Sequence, residues 1–196
     1  PMENIEQENP KTLSLDEVEL GKNYALIIST NAGLWRYQIG DTIKFTSLSP
    51  YRIQITGRTK HFINAFGEEL IIDNAEKALA KACLATDSVI RDYTACPVYF
   101  KGNEAGAHEW IIEFEQAPKD LHQFTEILDQ GLRDLNSDYD AKRFKDMALR
   151  MPQIHQAPEG TFYKWMKTRG KLGGQHKVPR LANERRYVEE ILGMMP

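Results

Sequence analysis

The chain predicts an α+β protein: a small antiparallel β subdomain followed by a ferredoxin-like (βαββαβ) C-terminal lobe with extra helices at its end. Three observations carry that expectation. Residues 23–56 read as short strands broken by turns, residues 70–155 alternate strands with two stretches of helical period, and the two regimes meet in Gly57-Arg58-Thr59-Lys60-His61-Phe62. With 196 residues, 41% hydrophobic and 27% charged, the chain has room for one domain or two small ones and an ordinary globular composition.

Residues 1–22 are acidic and polar, broken by Pro10 and Gly21, and read as a connecting segment. Asn23 to Thr30 is an apolar, β-leaning strand, and Asn31-Ala32-Gly33 supplies a turn because Asn and Gly tolerate positive φ. Leu34 to Ile39 leads to Gly40-Asp41. Thr42 to Leu48 and Tyr51 to Thr56 then alternate apolar with polar residues, the mark of half-buried strands in a meander.

Beyond Gly67, Leu70-Ile71-Ile72 is a short strand. Asp73 and Glu76 have capping-box spacing for a helix whose Ala75, Ala78, Leu79 and Ala82 share a face. Ser88 to Phe100 is β-rich, Lys101 to Gly106 turns, and His108 to Glu115 returns as a hairpin partner with Trp110, Ile112 and Phe114 on one side. Asp120, boxed by Gln123, starts a second helix with Leu121, Phe124, Leu128, Leu132 and Leu135 at spacings of three and four. Met147 to His155 reads as the last strand, so that two helices cover one face of a four-stranded sheet. Helices follow at Thr161 to Arg169, with Phe162, Trp165 and Met166 inward, and from Asn183, with Tyr187, Val188, Ile191 and Leu192 inward. Between them lies a glycine-rich loop, 170–177, stopped by Pro179.

A net charge of −3 gives no global attraction to nucleic acid or to an anionic membrane. Its distribution is uneven. From Gly160 to Arg186 eight Lys or Arg stand against Glu184 alone, a local +7 that leaves −10 elsewhere, so this tail is expected to meet an anion. The two cysteines, Cys83 and Cys96, have no zinc spacing and read as small buried hydrophobes in a reducing compartment. The histidines show no metal-ligand spacing. No run approaches the roughly 18 apolar residues of a membrane helix, no leader suggests export, and a cytoplasmic location is expected. The opening Pro1-Met2-Glu3 reads as a piece cut from a longer polypeptide.

Three places carry chemistry. In Trp35-Arg36-Tyr37-Gln38-Ile39-Gly40-Asp41, glycine lets a ligand approach the backbone and the carboxylate accepts two hydrogen bonds from vicinal hydroxyls, although Gly-Asp is equally a common turn pair. Arg58 reads as a donor to a ribose or phosphate, or as half of a structural ion pair. Lys177, on its glycine-rich loop, is by itself a solvated lysine, yet such a mobile ammonium reaches a carboxylate and an α-phosphate together.

These residues have an order. Gly57-Arg58-Thr59-Lys60, followed by apolar residues, Gly67 and Glu68, resembles the hinge motif of the adenylate-forming superfamily. Tyr37-Gln38-Ile39-Gly40-Asp41 resembles the third nucleotide-binding motif of the plant auxin-responsive Gretchen Hagen family, the acyl-acid amido synthetases. Gly174-Gln175-His176-Lys177-Val178-Pro179-Arg180 resembles that family's C-terminal Gly-Gln-aromatic-Lys-x-Pro-Arg element, with His176 in place of the usual aromatic. The chain looks like the C-terminal fragment of a bacterial-type member.

That resemblance implies that Asp41 holds the ribose hydroxyls of ATP, that Tyr37 or Trp35 shapes the adjacent wall, and that Arg58 assists. Lys60 would be the pivot, beside Gly57, and Lys177 would stabilise the transition state of acyl-adenylate formation. It also implies ATP and Mg2+ as cofactors, and a small carboxylic acid and an amino acid or other amine as substrates. Neither nucleic acid nor a membrane is expected as a partner. Residues 1–57 would end an N-terminal adenylation lobe, 58–62 would be the hinge and 63–196 the C-terminal lobe. The rest of the N-terminal lobe, with the phosphate loop and acid pocket that this chain lacks, would be supplied by the same polypeptide, and the fragment alone would be inactive. Two other readings stand beside this one: an acyl-CoA ligase on the same scaffold, and a non-catalytic ferredoxin-like module that binds a ligand or RNA.

Overall fold

Alternating strand residues need a sheet partner for their backbone and a cover for one face, and both needs are met locally. The computed structural model describes residues 1–196 except 6, 60, 100–104, 147 and 174–176, and the side chain of 146. By its contacts the chain divides into two units, Pro1–Phe62 and Ile63–Pro196.

In the first unit β1 (Asn23–Ile28), β2 (Tyr37–Leu48) and β3 (Tyr51–Arg58) form an antiparallel sheet in that order, the predicted meander. Ile43 lies opposite Ile55 and Phe45 opposite Ile53, so the apolar sides of β2 and β3 share a face. Tyr24, Ile43 and Phe45 are buried, with Leu13 and Val18 packed against them. Ile53 and Ile55 stay exposed, so β3 is not the half-buried strand that its alternation predicts: the N-terminal cover reaches β1 and β2 only. The N-terminal segment is therefore more than a connection: it supplies apolar cover and two short 3-10 turns, Met2–Asn4 and Leu15–Glu17. One expectation changes: β2 runs unbroken through Gly40-Asp41, where the sequence reads as a pause between strands.

The second unit follows the order strand, helix, strand, strand, helix, strand, with one unpredicted helix before the last strand and further helices after it. Its elements are β5 (Leu70–Ile71), α1 (Ile72–Thr86), β6 (Val89–Val98), β7 (Ala107–Gln116), α2 (Leu121–Leu135), α3 (Ser137–Arg143), β8 (Gln153–Ala157), α4 (Thr161–Thr168) and α5 (Arg186–Leu192). The sheet differs from the four-stranded expectation. It has three strands, β6-β7-β8, with β6 antiparallel and β8 parallel to the central β7. β5 belongs instead to a separate two-stranded sheet with β4 (Phe62–Ile63).

Both predicted helix faces are buried: Ala75, Ala78, Leu79 and Ala82 on α1, and Phe124, Leu128 and Leu132 on α2. The caps are divided. Asp120 accepts from the N–H groups of His122 and Gln123, as its position predicts. At α1 the expected Asp73 cap is replaced by Asn74, which reaches back to the Ile71 N–H, while Asp73 pairs with Lys77 one turn on. The last strand, expected from Met147, begins at Gln153: the chain first makes the seven-residue α3, capped by Asn136 through the Tyr139 N–H.

Every residue of β7 from Ala107 to Phe114 is buried. Trp110, Ile112 and Phe114 point into the core with α1 and α2. Ile111, from the other face, packs with Cys96, Phe162, Trp165, Met166, Val188 and Ile191, so α4 and α5 close that side too. The unit is thus a sheet between two helical layers. An RNA-recognition sheet leaves one face open for bases to stack on, and here both faces are taken.

Candidate functional site

The first cluster of predicted residues is built by an irregularity in β2. Ala25 pairs with Thr42 and Ile27 with Gln38, so Ile39, Gly40 and Asp41 together face a single residue of β1. The strand bulges, and a bulge re-aims side chains. Gly40 makes it possible with φ 91°, and a Cβ there would lie 3.3 Å from Arg58 Nη2.

On the other side β2 stays paired, with Asp41 opposite Arg58 and Thr42 opposite Gly57. Arg58 Nη1 lies 3.2 Å from Asp41 Oδ1. The Thr59 N–H donates to Gly40 O at 2.9 Å, carrying the ladder one residue past the strand. Beneath, the Thr56 hydroxyl meets the side chains of Asn23 and Thr42. A carboxylate acceptor, a guanidinium donor and a backbone without a Cβ therefore meet at the bulge of the middle strand, beside the end of β3. Tyr37 opens β2 and Trp35 precedes it; both are exposed, Trp35 at 80%. Lys60, the proposed pivot, lies outside the described residues.

Lys177 belongs to the second unit, and Asp41, Arg58 and Gly57 to the first. It is exposed and borders a cleft of about 760 Å³ together with Arg91, Asp92, Phe162, Lys171 and Arg180. Gly174, Gln175 and His176 of its motif lie outside the described residues. The segment after Lys177 is held firmly: Val178 and Leu181 are buried, and Leu181 bridges to Ala95 of β6 in parallel. The tail's positive charge is less available than its sequence suggests. Arg169 pairs with Glu190, Arg180 with Asp92, Arg185 with Glu109 and Arg186 with Glu190, so all four arginines are engaged within the unit.

Sequence reasoning overlooked the carboxylates on the second face of β7. Alternation with Trp110, Ile112 and Phe114 marks Glu109 and Glu113 as solvent-facing, yet both are buried. Glu113 accepts from the N–H groups of Gly160 and Phe162 at 2.8 and 3.1 Å, holding the start of α4 where the helix dipole favours a negative charge. Glu109 joins Arg185 and His155. Burial raises the Asp92 carboxyl above its ordinary value, against the pull of Arg180. Burial also pushes the Cys96 thiol up to about 12, which makes it inert as a nucleophile. Among the described residues no cluster of His, Cys, Asp or Glu is arranged to hold a metal ion, and no helix is long and apolar enough to cross a membrane.

The arrangement matches known families at both ends. Residues 1–58 fit the GH3 family central domain and residues 73–186 the GH3 family C-terminal domain. The chain belongs to the GH3 family. This is the Gretchen Hagen family that its motifs resemble. Among the GH3 relatives, the probable indole-3-acetic acid-amido synthetase GH3.1 of Arabidopsis thaliana is 28% identical over 91% of this chain and 32% of its own length. The jasmonoyl-L-amino acid synthetase JAR4 of Nicotiana attenuata is also 28% identical, again over 91% of this chain and 32% of its own length. The solved GH3.15 acyl acid amido synthetase shares the fold, with a TM-score of 0.68 at 19% identity over 94% of this chain and 36% of that one. The GH3 chain described here thus spans about a third of the length of the curated relatives it matches.

Proposed function

We propose that the polypeptide carrying this chain is an ATP-dependent ligase that adenylates a small carboxylic acid and passes the acyl group to the amine of an amino acid. The observation that carries this reading is the Asp41–Arg58 pair at the Gly40 bulge, in a chain matched by both GH3 domains. Asp41 is suited to accept hydrogen bonds from two vicinal ribose hydroxyls of ATP, and the missing Cβ at Gly40 lets the nucleotide approach the backbone. Arg58 Nη1 holds that carboxylate in place and has further N–H groups for the nucleotide. Trp35 and Tyr37 are exposed apolar surfaces on the approach to Asp41 in the chain.

The acid and ATP would meet in the first half-reaction: a carboxylate oxygen attacks the α-phosphorus, pyrophosphate leaves, and an acyl-adenylate forms. Negative charge gathers at the phosphoryl oxygens during attack, and the Lys177 ammonium is the group suited to offset it. In the second half-reaction the amine attacks the acyl carbon, AMP leaves and an amide is made. Magnesium would travel with the phosphates; no ligands for it are assigned on this chain. The segment 58–62 would serve as pivot between the steps, and the acid pocket and phosphate loop would come from the N-terminal lobe of the same polypeptide. The names of the relatives, an indole-3-acetic acid-amido synthetase and a jasmonoyl-L-amino acid synthetase, support the acid and amine classes.

The test is Lys177→Ala in the full-length polypeptide, followed by acid-dependent exchange of pyrophosphate into ATP. Exchange should fall by about 10²-fold or more, the size of losing one electrostatic stabiliser. Exchange at the unsubstituted rate would remove Lys177 from the mechanism.

A further inference from the structure

Lys177 owes its position to the segment that follows it. Three residues on, Arg180 enters a ladder along the free edge of β6: the Ala95 N–H donates to Arg180 O at 2.9 Å, and the Ala182 N–H donates to Ala95 O at 3.1 Å. The Thr94 hydroxyl donates to Pro179 O at 2.6 Å. The Arg180 side chain bends back over the same strand. Its guanidinium pairs with the Asp92 carboxylate, donates to Tyr93 O at 3.3 Å and stacks over the Tyr93 ring, 4.6 Å from its centroid. At the far end Arg185 donates to Pro97 O at 2.9 Å and to Glu109 at 2.7 Å.

Only Val178 and Pro179 separate Lys177 from this anchorage, and neither gives slack: Val178 is buried against α4 and α5, and Pro179 has a fixed φ. The Lys177 side chain stays exposed while its backbone is tethered at one end to the sheet.

We infer that Arg180, clamped to Asp92 and Tyr93, is a positioning residue for Lys177: it fixes the strand edge from which the lysine reaches the reacting phosphate. The inference rests on the reading that Lys177 serves adenylate formation. A guanidinium meets all three requirements at once, since it pairs with a carboxylate, donates to a carbonyl and stacks on a ring. A misplacement of about 1 Å at a reacting group costs on the order of 10²-fold in rate.

The experiment uses the full-length polypeptide with the single variants Arg180→Ala, Asp92→Asn and Lys177→Ala and the double variant Arg180→Ala with Lys177→Ala. Acid-dependent pyrophosphate exchange reads the first half-reaction, and amide formation from a synthetic acyl-adenylate reads the second. Arg180→Ala and Asp92→Asn should each lower kcat for exchange by about tenfold or more, with KM for ATP within about twofold and amide formation from the synthetic adenylate unchanged. In the Lys177→Ala background, Arg180→Ala should cost nothing further. Losses that multiply, or exchange at the unsubstituted rate in both clamp variants while Lys177→Ala is impaired, would overturn the clamp alone. Unimpaired exchange in Lys177→Ala would overturn the clamp together with the role of the lysine. Should Arg180→Ala not fold, the nearly isosteric Asp92→Asn and its double with Lys177→Ala decide by the same criterion.

Discussion

Asp41 and Arg58 stand opposite each other on β2 and β3, a guanidinium nitrogen 3.2 Å from the carboxylate, at the place where β2 bulges away from β1. The pair is partly exposed, and an exposed pair of this kind contributes at most about 1 kcal/mol to stability. Its loss from the fold should therefore be small even if its loss from the site is large. Asp41→Asn in the full-length polypeptide should leave the melting temperature within a few degrees and raise KM for ATP by about tenfold or more. An unchanged KM would leave the pair with a structural role only.

A second carboxylate contact is fully buried. Glu68 Oε1 lies 2.8 Å from His108 Nε2, and Glu68 Oε2 accepts from the Phe66 N–H at 2.7 Å. Burial alone would raise the Glu68 carboxyl, but the hydrogen bond and charge of His108 and the backbone N–H groups outweigh it and leave it below the ordinary 4.5. A carboxyl lowered in the folded state stabilises the protein above its ordinary value and loses that contribution as pH falls through the folded value. The stability difference between the unsubstituted chain and Glu68→Gln, taken from urea unfolding between about pH 5.5 and pH 3, should shrink as pH falls below 4.5. A difference independent of pH would refute the assignment.

Asp129 of α2 gathers three donors from α3: the Tyr139 hydroxyl at 2.7 Å and the Arg143 Nε and Nη2, each at 2.8 Å. Removing the acceptor of a buried hydroxyl and two buried guanidinium N–H groups costs about 3 kcal/mol or more. Asp129→Ala should lower the urea midpoint accordingly. A loss under about 1 kcal/mol would mean that water takes the place of the carboxylate.

Gly106 leaves room for a ring. A Cβ there would fall 1.9 Å from Phe66 Cζ, far inside contact distance. Gly106→Ala should destabilise by about 1–3 kcal/mol, the range for an overpacked site, and Phe66→Leu in the same chain should recover part of the loss. Purely additive losses in the double variant would place the cost in the backbone of Gly106 rather than in the clash.

Where the sequence was legible, the signal was periodic and local. The face of α2 is written in Phe124, Leu128 and Leu132, and its cap in Asp120; the meander is written in the alternation of β2 and β3. The misreadings share one cause. Glu109 and Glu113 look like solvent-facing strand residues until α4 and α5 cover them, and the arginines of the tail look free until β6, β7 and α5 supply their partners. Gly40-Asp41 looks like a turn because its partners, Thr59 for the Gly40 carbonyl and Arg58 opposite Asp41, are distant in sequence and leave no local trace.

The sequence by itself determined the α+β class, the order of the main strands and of α1 and α2, and the residue types that mark the nucleotide and lysine motifs, because each is set by neighbours within a turn or a strand. Tertiary structure alone decided that the sheet has three strands rather than four, that both its faces are covered, and that the carboxylate opposite Arg58 lies on a bulge. Those outcomes depend on which distant segment buries which surface, and burial is a property of the folded chain, not of any window along it.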